Sequence, residues 1–256
     1  MIGDTASFDP TQFAPPLEHE VHIWYASLVQ PDAWYQRLVQ TLSPDEHKRA
    51  KRFFAEHDRQ HFVIARGILR DILGRYIGID ASECQFHYGK NGKPALAEIH
   101  HSPLRFNVSH SGEWALYAIT NNWEVGVDIE RLHAPVEAEK IAQRFFSTRE
   151  NAFLETLPPS LRREAFFTYW TCKEAVVKAM GDAIFHSLTQ IDIGIAPEKE
   201  NSLVFLGPND VTTAVAPWLL RKLIPPAGYA AALALEGGRE QYPAPVLITR
   251  SVIPLC

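Results

Sequence analysis

The segment Gly126-Val127-Asp128-Ile129-Glu130 constrains this chain more than any other. Residues two apart on a strand face the same way, so Val127 and Ile129 enter a core while Asp128 and Glu130 project together from the other face. Two carboxylates so close repel each other unless a cation lies between them, and hard oxygen ligands of this kind suit Mg2+. A strand with a solvated acidic face has the same letters, so the segment alone leaves both readings open.

A helix around Trp170 bears on the choice. At 100° per residue, Phe166, Trp170, Val177 and Met180 form one apolar stripe, with Glu174 and Lys178 one turn apart on its flank beside Phe167. The same Glu-to-Lys spacing also makes an ordinary surface pair, worth about 0.2–0.5 kcal/mol to a helix. Lys173 falls within the stripe, where its stem would have to snorkel outward. Upstream, Asn107-Val108-Ser109-His110-Ser111-Gly112 ends a strand in small polar groups. They could offer hydroxyl, imidazole and backbone N–H groups to a phosphate, or close a turn on themselves. Gly92-Lys93-Pro94 sets a lysine at a rigid turn, and Lys48, Arg49, Lys51 and Arg52 form a basic run that also suits a solvated helix face. No Walker loop, dinucleotide fingerprint, zinc pattern or serine-hydrolase elbow is present, and His100-His101 has no partner at ligand spacing.

Start and stop signals organise the rest as α+β. Ser43-Pro44-Asp45-Glu46 opens a helix with a capping serine, a proline in first position and Glu46 to close a capping box. A longer helix is predicted over 58–76, before Gly78. A helix over 137–146 is followed by a second capping box, Ser147-Thr148-Arg149-Glu150, and Pro158-Pro159 stops the helix it opens. The last predicted helix covers 160–180, before Gly181. Strands are predicted at 21–25, 85–88, 105–109, 114–120, 125–130, 191–195, 202–206 and 229–235. The letters show no internal repeat. A boundary at Asn121-Asn122 would divide the chain into halves 1–122 and 123–256, the second carrying the carboxylates.

The net charge of −5 gives no global attraction to nucleic acid or anionic membranes, so a polyanion would need a local basic patch. No apolar run reaches the roughly 18–20 residues that cross a bilayer, and Met1 to Pro16 do not read as a secretion signal. Cys84, Cys172 and Cys256 are odd in number and far apart, the pattern of a reduced cytoplasmic protein.

Taken in order, five segments resemble the 4′-phosphopantetheinyl transferase superfamily, in its larger, surfactin-type branch. They are Gly92-Lys93-Pro94, Phe106 to Ser111, Gly126 to Glu130, Arg144-Phe145-Phe146-Ser147 with Glu150, and Trp170-Thr171-Cys172-Lys173-Glu174-Ala175 with Lys178. The resemblance implies a monomer of two similar α+β halves about a pseudo-twofold axis, with coenzyme A in the cleft between them. It implies that Asp128, Glu130 and Glu174 hold Mg2+, that Lys178 binds the pyrophosphate, and that Ser109, His110 and Lys93 contact coenzyme A. Arg49 and Arg52 match 3′-phosphate contacts loosely, since relatives often carry a lysine where Glu46 and His47 stand here.

The implied reaction is attack by a serine of an apo acyl or peptidyl carrier protein on the β-phosphate of coenzyme A, expelling 3′,5′-adenosine bisphosphate. Glu174 is the candidate base, with Glu130 or water as alternatives. Carrier partners of this family are acidic and helical, so a basic or apolar docking face is expected, with Phe145, Phe146 and the Ser147 loop as docking or core elements. Arg66 and Arg70 read equally as ligand contacts or surface charge, and neither the arm before Val21 nor the tail after Gly237 finds a counterpart. Competing readings are a Mg2+-dependent phosphohydrolase or nucleotidyl transferase, and an inactive module that binds coenzyme A or a carrier.

Overall fold

A computed structural model describes residues 13–181, 188–195, 202–206, 218–236 and 245–252. The chain opens with strand β1 (Glu20–Ser27) and helices α1 (Asp32–Thr41), α2 (Pro44–Ala50) and α3 (Glu56–Ile77). Four strands follow, β2 (Phe86–Tyr88), β3 (Pro94–Leu96), β4 (Leu104–Ser111) and β5 (Trp114–Asn121). The same order then recurs: β6 (Val125–Arg131), α4 (Ala138–Phe145), α5 (Thr148–Thr156) and α6 (Pro159–Met180), then β7 (Asp192–Ile195), β8 (Ser202–Leu206), β9 (Trp218–Lys222) and β10 (Tyr229–Glu236). A final strand, β11 (Val246–Ser251), lies outside the repeat. The α+β expectation is met, and a repeat invisible in the letters is plain in the element order.

Two sheets carry the fold, ordered β11-β1-β5-β4 and β6-β10-β9-β8-β7, with β2-β3 as a separate hairpin. Strand alternation distributes their side chains among three layers of core. Val21 and Ile23 of β1, Leu116 and Ala118 of β5, Val127 and Ile129 of β6, and Leu233 of β10 meet between the sheets. The opposite faces pack against helices, Trp24 and Tyr117 against α3 residues Ile68, Leu69 and Ile72, and Ala232 and Ala234 against α6 residues including Val176. The layers therefore run helix, sheet, sheet, helix, and β6 is buried on both faces. The solvated acidic strand is thereby excluded. Asp128 is 2% exposed, on the face turned toward α6.

The two long helices are held alike. Each has 22 residues and ends at a left-handed glycine, Gly78 (φ 73°) or Gly181 (φ 67°). Glu46 accepts the Ser43 N–H at 3.0 Å and the Arg70 Nε–H of α3 at 2.6 Å. Glu150 accepts the Ser147 N–H at 2.7 Å and meets the Lys173 ammonium of α6 at 2.8 Å. Lys173 does not snorkel. It is fully buried and also donates to the Leu188 carbonyl at 2.9 Å. Arg70, likewise buried, donates to the Cys84 carbonyl at 2.9 Å, and Arg66 lies 3.5 Å from Glu46. Arg70 is structural, whereas the buried Arg66 Nη1 has no hydrogen-bond partner among the described residues. Glu46 is one half of this buried clamp.

Three further elements carry no strong sequence signal. α1 begins after Pro31 with no side-chain cap and buries only Trp34 and Leu38. β9 was not foreseen, and neither was β11, which returns from the tail to pair in parallel with β1. Among the described residues no helix is long and apolar enough to cross a membrane.

Gly126 lets α6 lie directly on β6. A Cβ there would stand 1.9 Å from the Ala175 carbonyl oxygen and 2.4 Å from the Ala179 nitrogen, backbone atoms that cannot step aside. G126A should cost about 1–3 kcal/mol or more, seen as a Tm lower by roughly 3–10 °C in thermal melts. G89A, whose added carbon meets nothing closer than 3.7 Å, should leave Tm unchanged.

Candidate active site

Three elements converge on one carboxylate. β6 presents Asp128, α6 presents Lys178 from its last turn, and β4 presents Ser109 from the other sheet. Lys178 Nζ donates to Asp128 Oδ1 at 2.6 Å and to Ser109 Oγ at 2.9 Å, while Ser109 Oγ donates to Asp128 Oδ1 at 2.8 Å. Asp128 Oδ2 is buried and has no hydrogen-bond partner. The seam between β4 and β6 is bridged on both sides of this triangle. Asn107 Oδ1 accepts the Val127 N–H at 2.9 Å, and Ser111 Oγ donates to Glu130 Oε2 at 2.6 Å. Residues 107, 109 and 111 share one face of β4, so a single strand supplies all three rungs.

Electrostatics marks the same spot. The Glu174 carboxyl is pushed up to about 7, first by burial, then by the Asp128 charge and, more weakly, Glu130, with Lys178 opposing. Glu130 is pushed up to about 6 by burial and by Asp128, with Ser111 and Lys178 opposing. His110 follows Ser109 on β4 and keeps part of its surface open to solvent. Its pKa is lowered by desolvation, then by the positive charges of Lys178 and Arg49. Among the described residues, no three His, Cys, Asp or Glu side chains stand arranged as metal ligands. The Lys178 ammonium is the cation on Asp128.

The structure thus brings together Asp128, Glu130, Glu174, Lys178, Ser109 and His110, with Arg49 near enough for its charge to reach His110. Arg52 is exposed in the turn after α2, with no hydrogen bond or ion pair to this group. Lys93 is engaged elsewhere. Its ammonium meets Glu124 at 2.9 Å, the Ala179 carbonyl at 3.0 Å and the Val125 carbonyl at 3.3 Å, while Asn91 donates to the Gly181 carbonyl at 2.9 Å. The β2–β3 hairpin thereby caps the C-terminal carbonyls of α6, where a cation also suits the helix dipole.

Sequence reasoning underrated Asn107 and Ser111, whose signal was their period-two spacing with Ser109. Phe146 is core, stacked on Phe166 at 5.4 Å, and Phe145 packs edge-on to Trp170. Met180 leaves the apolar stripe and is exposed. A cavity of about 600 Å3 between α4, α5 and the start of α6 is lined by none of the converging side chains, so it is separate from this site.

This arrangement, a carboxylate cluster and a lysine on a strand–helix contact beside a polar strand end, is accompanied by clear sequence relationships. The profile described as 4′-phosphopantetheinyl transferase superfamily matches residues 124–234, and that described as 4′-phosphopantetheinyl transferase, N-terminal, matches residues 28–122. The 4′-phosphopantetheinyl transferase HetI of Nostoc sp. is 41% identical over 222 residues, which are 86% of this chain and 90% of that one. The 4′-phosphopantetheinyl transferase Sfp of Bacillus subtilis is 26% identical over 168 residues, 66% and 73% of the two chains. A crystal structure of a holo-(acyl-carrier-protein) synthase from Bacillus anthracis overlays 45% of this chain and 96% of its own, at 20% identity and a TM-score of 0.36. The chain belongs to the 4′-phosphopantetheinyl transferase superfamily.

A pH dependence follows for the metal-free protein. The folded-state pKa of Glu174 is raised above its ordinary 4.5, so between pH 4.5 and about 7 the native state holds a proton that the unfolded chain has released. Stability then falls as pH rises through that window and levels off above it. E174Q, which mimics the protonated acid, should remove that part of the decline. In chelator-treated urea titrations it should gain up to about 3 kcal/mol over wild type at pH 8 and nothing near pH 4.5.

Proposed function

We propose that this protein transfers the 4′-phosphopantetheine group of coenzyme A to a serine of an apo acyl or peptidyl carrier protein. The observation that carries this reading is the Lys178–Asp128–Ser109 triangle, built from both sheets at the seam between them. Family membership supports the same chemistry. HetI and Sfp are each named a 4′-phosphopantetheinyl transferase.

Mg2+ fits the donor set. Asp128 keeps one buried oxygen without a partner, and burial together with the Asp128 charge pushes both Glu130 and Glu174 toward protonation, the strain that a hard dication relieves. Asp128, Glu130 and Glu174 would hold it. When bound, it neutralises the pyrophosphate and the charge that develops on the leaving oxygen. The other roles belong to side chains of this chain. Lys178 sets fixed positive charge toward the pyrophosphate, Ser109 and His110 offer hydrogen bonds, and Arg49 and Arg52 meet the 3′-phosphate. Lys93, bound to the end of α6, holds the Gly92-Pro94 turn beside the coenzyme. The serine oxygen forms a bond to the β-phosphorus, the bond to the leaving phosphate breaks, and 3′,5′-adenosine bisphosphate departs. The hydroxyl proton passes to Glu174, the candidate base.

We read the two halves as 1–122 and 123–256, supported by the repeated element order and by sequence matches that meet between residues 122 and 124. A cytoplasmic monomer accords with both. Each half supplies part of the site, and Cys84 and Cys172 are buried free thiols.

Intact-mass measurement tests the reaction. Apo carrier proteins incubated with the protein, coenzyme A and Mg2+ should gain one phosphopantetheine each, and the gain should vanish with EDTA or when the carrier serine is replaced. E174Q should transfer at least about a hundredfold more slowly without loss of Tm. Full activity with unchanged metal dependence would remove Glu174 from the mechanism, and degraded coenzyme A with unlabelled carriers would point to a hydrolase.

A further inference from the structure

The turn between α2 and α3 is unlike the rest of the surface. Phe54 is 108% exposed, the most exposed of the large apolar side chains among the described residues. Its neighbour Phe53 is held against Phe62 at 5.3 Å, and the Arg49 guanidinium covers the same Phe62 ring at 5.3 Å. Phe53 thus anchors the turn and Phe54 is left outward. Leaving a phenyl group in water forgoes about 1.5–3 kcal/mol of burial. Around it stand Lys48, Arg49, Lys51 and Arg52, all exposed, in a chain whose net charge is −5. Lys48, Lys51 and Arg52 form no ion pair among the described residues. Of the nearby acids, Glu56 is paired with Arg59, and Asp58 lies 3.4 Å from the His57 ring. One exposed aromatic ring within a patch of unpaired cations is the composition of an interface core with a charged rim, and the partner it complements is acidic.

Its place in the fold says why such a partner would sit there. Arg49 precedes the turn, and its charge lowers the pKa of His110; His61 follows the turn on α3, and its own pKa is lowered in part by His110. His110 adjoins Ser109, which bonds Asp128. The turn therefore lies on the His110 side of the site.

We propose that the turn at residues 51–55 is a docking surface for an acidic carrier protein, with Phe54 as its apolar anchor and Lys48 and Lys51 as its steering charges. This rests on the transfer reading above and adds to it where the protein substrate sits. Neither Phe54 nor the two lysines belongs to the coenzyme or metal set.

F54A and the double variant K48E/K51E test it, with a purified apo acyl carrier protein as probe. F54A should raise the carrier KM about tenfold, and leave kcat and the KM for coenzyme A unchanged. K48E/K51E should raise the carrier KM at low salt and flatten its salt dependence. Direct titration of the apo carrier against wild type and F54A, by fluorescence anisotropy without coenzyme A, separates docking from chemistry. Binding that weakens in F54A supports the surface even if wild type transfers nothing, in which case only the transfer reading fails. A carrier KM and binding curve unmoved by both variants would overturn the proposal. So would equal rises in both KM values, or a Phe54-dependent dimer in sedimentation, which would make a second copy of the chain the occupant.

Discussion

The contact between α6 and β6 governs the rest of this molecule. The Ala175 carbonyl and Ala179 nitrogen lie where a side chain at position 126 would have to be, so the helix rests on strand backbone at Gly126. That proximity, and no long-range steering, sets Lys178 within hydrogen-bonding distance of Asp128 and keeps Glu174 almost dry. Alanines 230, 232 and 234 on the adjoining strand β10 continue the low surface on which α6 lies. A dry carboxylate is costly, and the cost is visible as a raised pKa at Glu174 and Glu130. The site is a place where close packing has been used to hold acids out of water.

The repeated architecture explains why there is one such site and not two. Arg70 and Lys173 each precede the terminal glycine of their helix by eight residues, and each grips the capping-box glutamate of the preceding helix. One residue further on, Asp71 corresponds to Glu174 and Arg75 to Lys178. In the first half that pair is satisfied internally, Arg75 meeting Asp71 at 2.9 Å. The strand beneath differs too. Where β6 turns Asp128 toward its helix, β1 turns Trp24, which packs in an apolar layer against α3. The same frame carries a carboxylate cluster on one side and ordinary core on the other.

Much of this was legible in the letters because it rests on local rules. The two capping boxes, the glycines after α3 and α6, and the period-two alternation of Val125 to Glu130 each specify their element without reference to the rest of the chain. What the letters hid was tertiary. Lys173 and Arg70 read as surface or snorkelling charges because nothing nearby in sequence shows that Glu150 and Glu46 face them. The contacts of Lys93 were hidden in the same way, since the carbonyls it meets, at Ala179 and Val125, are remote from it in sequence. The acidic strand was ambiguous for the same reason, since its outer face is covered by a helix that begins some thirty residues later. The repeat escaped notice because it is kept in helix lengths and clamp positions and hardly at all in residue identity.

The parallel pairing of β11 with β1 has a consequence for how the chain is made. β1 leaves the ribosome before the other described elements, and its outer edge stays open until a strand roughly 225 residues downstream arrives to cover it. Closing so long a loop is entropically expensive and slow compared with the local hairpin of β4 and β5. During synthesis the first sheet therefore exists with a bare, apolar edge, Val21 and Ile23 beside unpaired backbone groups, the state most open to pairing with another nascent chain. Completion of the first sheet is thus tied to completion of the second, and a truncated translation product would carry its most adhesive edge unprotected.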